Sequence, residues 1–160
     1  MKRIPLIISS SCGGEKVIKR AEIKDYKDVT KLALLLWPDN EVIELQKEFK
    51  HILSSEEALI LLSYDKDEVI AFAQCQLRHD YVEGTDNSPV GYLEGIYVKE
   101  AYRSKGLAKE LLGECEKWAK DKGCSEFASD CELDNMDSLK FHLRAGFEEA
   151  NRIICFTKRI

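Results

Sequence analysis

The chain is 160 residues long, a single-domain length that suffices to bury a sizeable core. Its 44% hydrophobic and 33% charged residues are the composition of an ordinary soluble globular protein. A net charge of −5 argues against nucleic acid and for a cationic ligand, and no apolar run reaches the length needed to span a membrane.

The chain opens with Met1, Lys2 and Arg3, then Ile4, Pro5, Leu6, Ile7 and Ile8, then serines and Cys12, a faint likeness to an export signal. The apolar part is short and broken by Pro5, so residues 1–16 are expected to be a flexible extension ahead of a fold spanning 17–160. Residues 17–23 alternate and read as a first strand. Asp25 is placed to cap a helix running to Trp37, with Val29, Leu32, Ala33 and Leu36 on one face and Pro38 ending it. A second helix covers about 41–53, its apolar stripe Val42, Leu45, Phe49 and Ile52. Residues 58–64 and 69–77 then form a hairpin around Asp65, Lys66 and Asp67.

A polar loop over 79–89 leads to a strand at 90–98 whose alternation fails at Gly95. A missing side chain there signals a bulge or a close backbone approach. The turn Arg103, Ser104, Lys105, Gly106 opens a helix with the stripe Leu107, Ala108, Leu111, Leu112, Cys115, Trp118 and Ala119, which Gly123 stops. Residues 125–129 are the next strand, parallel to its predecessor because a crossover helix joins them. A helix from Asn135 to Ala145 closes at Gly146 and Phe147 in Schellman fashion, and residues 152–157 complete the sheet. The expected fold is α/β (α+β): one mixed, mostly antiparallel sheet of about seven strands, helices on both faces, and a single βαβ unit.

The six cysteines, at 12, 75, 115, 124, 131 and 155, make no CxxC pair. Cys75, Cys115 and Cys155 lie in apolar periodic segments, which points to buried free thiols in a reducing cytoplasm. His51, His79 and His142 show no metal-ligand spacing, and no metal is expected.

The helix that begins after Gly106 leaves its first N–H groups free at the positive end of its dipole, a site suited to phosphate. Arg103-x-x-Gly106-x-Ala108, placed between a strand and a helix, resembles the acetyl-CoA signature of the GCN5-related N-acetyltransferases. Asn135 with Phe141, His142, Gly146 and Phe147 is similar to a later motif of that family. Closer still, Arg78-His79-Asp80-Tyr81-Val82, Ser88-Pro89-Val90, Leu93-Glu94-Gly95-Ile96, Gly123-Cys124, Ala128-Ser129-Asp130 and Gly146-Phe147-Glu148-Glu149 resemble aminoglycoside 6'-N-acetyltransferases.

The resemblance implies a single-domain acetyltransferase that moves acetyl from acetyl-CoA to the 6'-amine of an aminoglycoside, with a homodimer by analogy. It places the co-substrate against Ile96, Tyr97, Val98, Arg103, Ser104, Lys105, Gly106, Leu107, Ala108, Lys109 and Asn135. For Arg103 and Lys105 a solvated turn is the alternative, and for Asn135 a helix cap. It assigns Trp37, Asn40, Tyr81, Glu94, Asp130 and Asn151 to the amine substrate. Trp37 could equally be core and Asp130 a turn residue. Asn151 stands where some relatives carry an acidic residue.

Transfer to an amine needs a base, and Glu94, mid-strand, is the candidate, directly or through water; an edge-strand carboxylate facing water is its alternative. His142 stands where the wider superfamily often has Tyr as the acid; simple packing is its alternative role. The other functions compatible with these residues are acetylation of polyamines or protein amines, and non-catalytic acyl-CoA binding by a regulator.

Overall fold

The computed structural model describes residues 7–10 and 15–160. Six strands form one sheet in the order β1(Ile7–Ser10), β2(Glu15–Arg20), β3(Ala58–Asp65), β4(Glu68–Arg78), β5(Val90–Val98) and β6(Phe127–Ser129). All neighbours are antiparallel except β5 and β6, which run parallel across the crossover helix. The expected extension over 1–16 lies partly outside the described residues; within it, β1 pairs with β2.

Helices α1(Tyr26–Leu36) and α2(Val42–Ser54) cover one face of the sheet, and α3(Leu107–Asp121) covers the other. Strands β3 and β4 lie between the two layers, which is why their burial is nearly continuous along Leu59, Ile60, Leu61, Leu62 and Ile70, Ala71, Phe72, Ala73. On the first face Val29, Leu32 and Ala33 of α1 and Leu45 and Phe49 of α2 pack on Ile60, Leu62 and Phe72. On the second face α3 buries Leu107, Leu111, Leu112, Cys115, Trp118 and Ala119. Each fully buried leucine contributes about 1.5–3 kcal/mol, so this stripe is what fixes α3 and the turn ahead of it. In α2 the stripe is shorter than its periodicity suggests: Val42 is exposed.

The helix ends follow local chemistry. Asp25 precedes α1, but its carboxylate accepts from the Glu22 N–H rather than from the helix itself. Asn135 caps α4(Met136–Ala145), its Oδ1 accepting from the Ser138 N–H at 3.0 Å. At the other end the Phe147 N–H reaches the His142 carbonyl and the Gly146 N–H that of Leu143, with Gly146 at φ +98°. That is the Schellman pair of bonds.

Two expectations fail at the C-terminal side. Among the described residues the sheet has six strands rather than about seven: residues 152–157 form none, and β1, inside the expected extension, adds one. Every residue over 148–160 is exposed, and no strand lies beside the segment to take its backbone groups. For the same reason Cys155 is an exposed thiol, whereas Cys75, Cys115 and Cys124 are buried.

Candidate active site

The site begins with one irregularity in β5. Gln74 pairs with Gly95 and the next residue, Cys75, pairs with Leu93, so Glu94 is the extra residue of a bulge. Gly95 beside it is also a close approach: a Cβ there would lie 2.6 Å from the Trp37 ring. Both readings of the broken alternation therefore hold. The bulge turns Glu94 toward the face covered by α1 and α2, where a cleft of about 270 Å³ is lined by Trp37, Asn40, Leu45, Glu48, Phe49, Gln74 and Glu94. Trp37 is half-buried and meets Phe72 edge-on at 6.1 Å, so it is core on one side and cleft wall on the other. Asn40 is held by its Nδ2 on the Trp37 carbonyl.

The same stretch of β5 loses its neighbour. Pairing with β6 covers only Gly91, Tyr92 and Leu93, so Ile96, Tyr97 and Val98 have no strand on that edge. At the point of separation His142 stands between a carbonyl and a hydroxyl. Its Nδ1 lies 2.8 Å from the Ser138 carbonyl and must carry a hydrogen, since a carbonyl only accepts. Its Nε2 lies 2.9 Å from the Ser129 Oγ, which itself lies 3.2 Å from the Leu93 carbonyl. Phe141 and Phe147 press edge-on against the imidazole.

The turn ahead of α3 has the predicted character. Ser104 and Gly106 adopt left-handed φ of +59° and +82°, and a Cβ on Gly106 would meet nothing within 4 Å. No side chain caps α3, and the first amide bonded back to the turn is that of Glu110, so the N–H groups of Leu107, Ala108 and Lys109 remain open. The basic side chains are tied to the turn itself. Arg103 Nε donates to the Val98 carbonyl at 2.9 Å and Lys105 Nζ to that of Ala101 at 3.1 Å, so both brace the turn. Asn135 acts as a helix cap, the alternative raised for it.

The remaining expected residues fall into two groups. Asp130 accepts from the Tyr92 hydroxyl at 2.5 Å, and burial with that bond keeps the phenol protonated, its pKa pushed well up. Tyr81 is 81% exposed and donates to Glu83, which also accepts from Asn151 Nδ2 at 3.1 Å. These three belong to the 79–89 loop and the exposed terminal segment and do not line the cleft. The loop is fastened from below: Glu126 accepts from the backbone N–H groups of Asp86 and Asn87 and from the Asn87 amide. The Asn87 amide and those backbone donors hold the Glu126 carboxyl below the usual carboxylate range.

Glu48, Gln74, Arg78, Tyr92 and Ser129 were missed by sequence reasoning as site residues. Glu48 adjoins Phe49 on α2, and only the packing of α2 on the sheet brings it into one cleft with Glu94. Among the described residues, Glu48 has no ion-pair partner, and no group of three His, Cys, Asp or Glu side chains could hold a metal ion. No helix among them is long and apolar enough to cross a membrane.

Residues 26–147 match the model of the acetyltransferase (GNAT) family. The chain is 43% identical over 143 residues to an aminoglycoside N(6')-acetyltransferase type 1 of Acinetobacter haemolyticus, covering 89% of this chain and 98% of that protein. Among solved structures it is similar to the aminoglycoside 6'-N-acetyltransferase AAC(6')-Ih of Acinetobacter baumannii, with a TM-score of 0.85, 40% identity, and 91% and 99% of the two chains covered. It is also similar to AAC(6')-Iy in complex with the bisubstrate analog CoA-S-monomethyl-acetylneamine, with a TM-score of 0.86, 34% identity and the same coverage.

Proposed function

The chain belongs to the acetyltransferase (GNAT) family, and on that ground we propose that it transfers acetyl from acetyl-CoA to the 6'-amine of aminoglycoside antibiotics, an activity that confers resistance. The observation that carries the reading is a carboxylate-lined cleft at the β5 bulge, followed along the same strand by an unpaired edge and then by an uncapped helix start.

The residues fit a diphosphate-bearing thioester. The open amides of Leu107, Ala108 and Lys109 and the empty space over Gly106 suit phosphate oxygens, and Ser104 lies in the same turn. The free edge of Ile96 and Tyr97 offers backbone donors and acceptors to an amide-containing arm, while the Val98 carbonyl is taken by Arg103. On the other side, the carboxylates Glu94 and Glu48 and the Trp37 ring suit a cationic amino sugar.

Attack on a thioester needs an uncharged amine, so an ammonium must first give up a proton. Glu94 accepts it, directly or through water, and His142 in its imidazolium form, with Nε2 as the donor at the strand separation, supplies a proton to the departing thiolate. Holding amine and thioester together in one cleft supplies much of the rate. Attack is direct. The hydrogen bond with Cys115 and burial push the Cys75 thiol up and keep it protonated, so it is no nucleophile.

The reading extends to the rest of the chain. The catalytic domain occupies residues 17–160, with β1 laid along its edge. The free thiols suit a cytoplasmic location. A homodimer is supported by the exposed Ile153, Ile154 and Phe156 on a segment without a neighbouring strand.

The test is release of CoA thiol across kanamycin, tobramycin, an aminoglycoside bearing a 6'-hydroxyl, spermidine and a peptide. Turnover of kanamycin and tobramycin alone is expected. Turnover of spermidine or peptide alone would reassign the substrate, and CoA binding without turnover would reassign the protein as an acyl-CoA-binding regulator.

A further inference from the structure

An arginine is out of place beside a site for polycations, since it repels what the cleft should attract. Arg78 nonetheless stands against Glu94. Its Nε lies 3.1 Å from Oε1, and its Nη2 lies 2.9 Å from both Oε1 and Oε2. The guanidinium also stacks on the Tyr92 ring, 3.3 Å from its centroid. The hydroxyl of that ring donates to Asp130. Glu94, Arg78, Tyr92 and Asp130 thus form one continuous chain of contacts from β4 across β5 to the end of β6. It joins the two carboxylates assigned to the amine.

We infer that Arg78 is a positioning residue for Glu94, one that fixes which carboxylate oxygen faces the amine. The inference rests on the reading of Glu94 as the group that receives the amine.

The bonding capacity of the carboxylate decides the point. Each oxygen can accept about two hydrogen bonds. Arg78 supplies two contacts to Oε1 and one to Oε2. Two N–H groups make these contacts, Nε–H on Oε1 and one Nη2–H shared between the oxygens, so Oε1 carries the larger share and Oε2 is the oxygen left more open to the substrate. A glutamate at a bulge, unbraced, would sample several rotamers, each presenting its oxygens differently. A guanidinium is suited to this work because its rigid fork fixes the carboxylate plane, whereas an ammonium is a point charge that leaves the plane free. Tyr92 in turn fixes the guanidinium, and its hydroxyl ties that ring to Asp130. The side chains are 38% and 19% exposed for Arg78 and Glu94, so water competes only partly for the bonds.

The test is a double-mutant cycle on Arg78 and Glu94, read as kcat and KM for kanamycin or for whichever panel amine the wild-type protein acetylates. Arg78→Ala should lower kcat about 10- to 100-fold, the cost of a misplaced catalytic group, with the KM for acetyl-CoA unchanged. Arg78→Lys, which keeps the charge and guards against a folding failure of the alanine variant, should recover only a minor part. In the Glu94→Gln background the same Arg78→Ala change should cost less than threefold. Wild-type kcat in Arg78→Ala, full recovery in Arg78→Lys, or an undiminished loss in the Glu94→Gln background would each overturn the inference. A wild-type protein that acetylates no amine would instead overturn the functional reading beneath it.

Discussion

The side proposed to receive acetyl-CoA comes from one unbroken run of sequence, Ile96 on β5 to Lys109 in α3, and it offers backbone amides. The side proposed to receive the amine is assembled from α2, β4 and β5 and from the residues that follow α1 and β6, and it offers side chains: Trp37, Glu48, Arg78, Glu94 and Asp130. The first is held by dihedral angles at Ser104 and Gly106 and by the buried stripe of α3. The second is held by pairwise contacts between elements distant in sequence. Backbone donors tolerate most side-chain changes nearby, whereas a side-chain network fails when one member is removed. Substitutions on the two sides should therefore separate kinetically, the donor side moving the KM for acetyl-CoA and the amine side moving kcat and the amine KM.

The sharpest break is at Glu94. Glu94→Gln should lower kcat/KM for the amine about 100-fold or more with the acetyl-CoA KM unchanged, as steady-state thiol release will show. An equal loss on both substrates would erase the distinction between the sides. Next comes Gly106→Ala. The left-handed conformation costs a side chain about 1–2 kcal/mol, so the acetyl-CoA KM should rise about tenfold while the amine KM holds.

A smaller effect is expected at Gly95, where an added Cβ must move the Trp37 ring. Gly95→Ala should destabilise the fold by about 1–3 kcal/mol, seen in thermal unfolding, and raise the amine KM several-fold. The smallest effect belongs to Glu126, whose folded-state pKa lies below its unfolded value. A depressed carboxylate contributes stability above the unfolded pKa and loses it as pH falls through the folded pKa. Glu126→Gln should therefore show a slightly flatter loss of stability on acidification than the wild type.

What the sequence disclosed follows the same division. Local chemistry was legible: Asn135 as a possible cap, Gly146 and Phe147 as a helix end, Gly95 as an irregular position, Gly106 as the start of α3. Each depends on the residue and its near neighbours. Glu48, Gln74, Arg78 and Ser129 were not legible as site residues, because nothing local says which strand a helix will face. Arg78 was visible only as part of a motif; its bond to Glu94 requires the register of β4 against β5. The strand expected at 152–157 failed for a related reason. Its apolar residues suit a strand, but a strand also needs a partner, and periodicity does not reveal one.

The bulge at Glu94 reaches beyond its own residue. Leu93 is paired with Cys75, and Ile96 with Ala73, on the side covered by α3. Those two β5 residues are three apart, where an uninterrupted strand would put them two or four apart. The pleat on either side of Glu94 is thus out of phase by one step. Excising that single position would restore an unbroken rhythm and leave a more regular strand, with the carboxylate gone and Arg78 left with the Tyr92 ring alone.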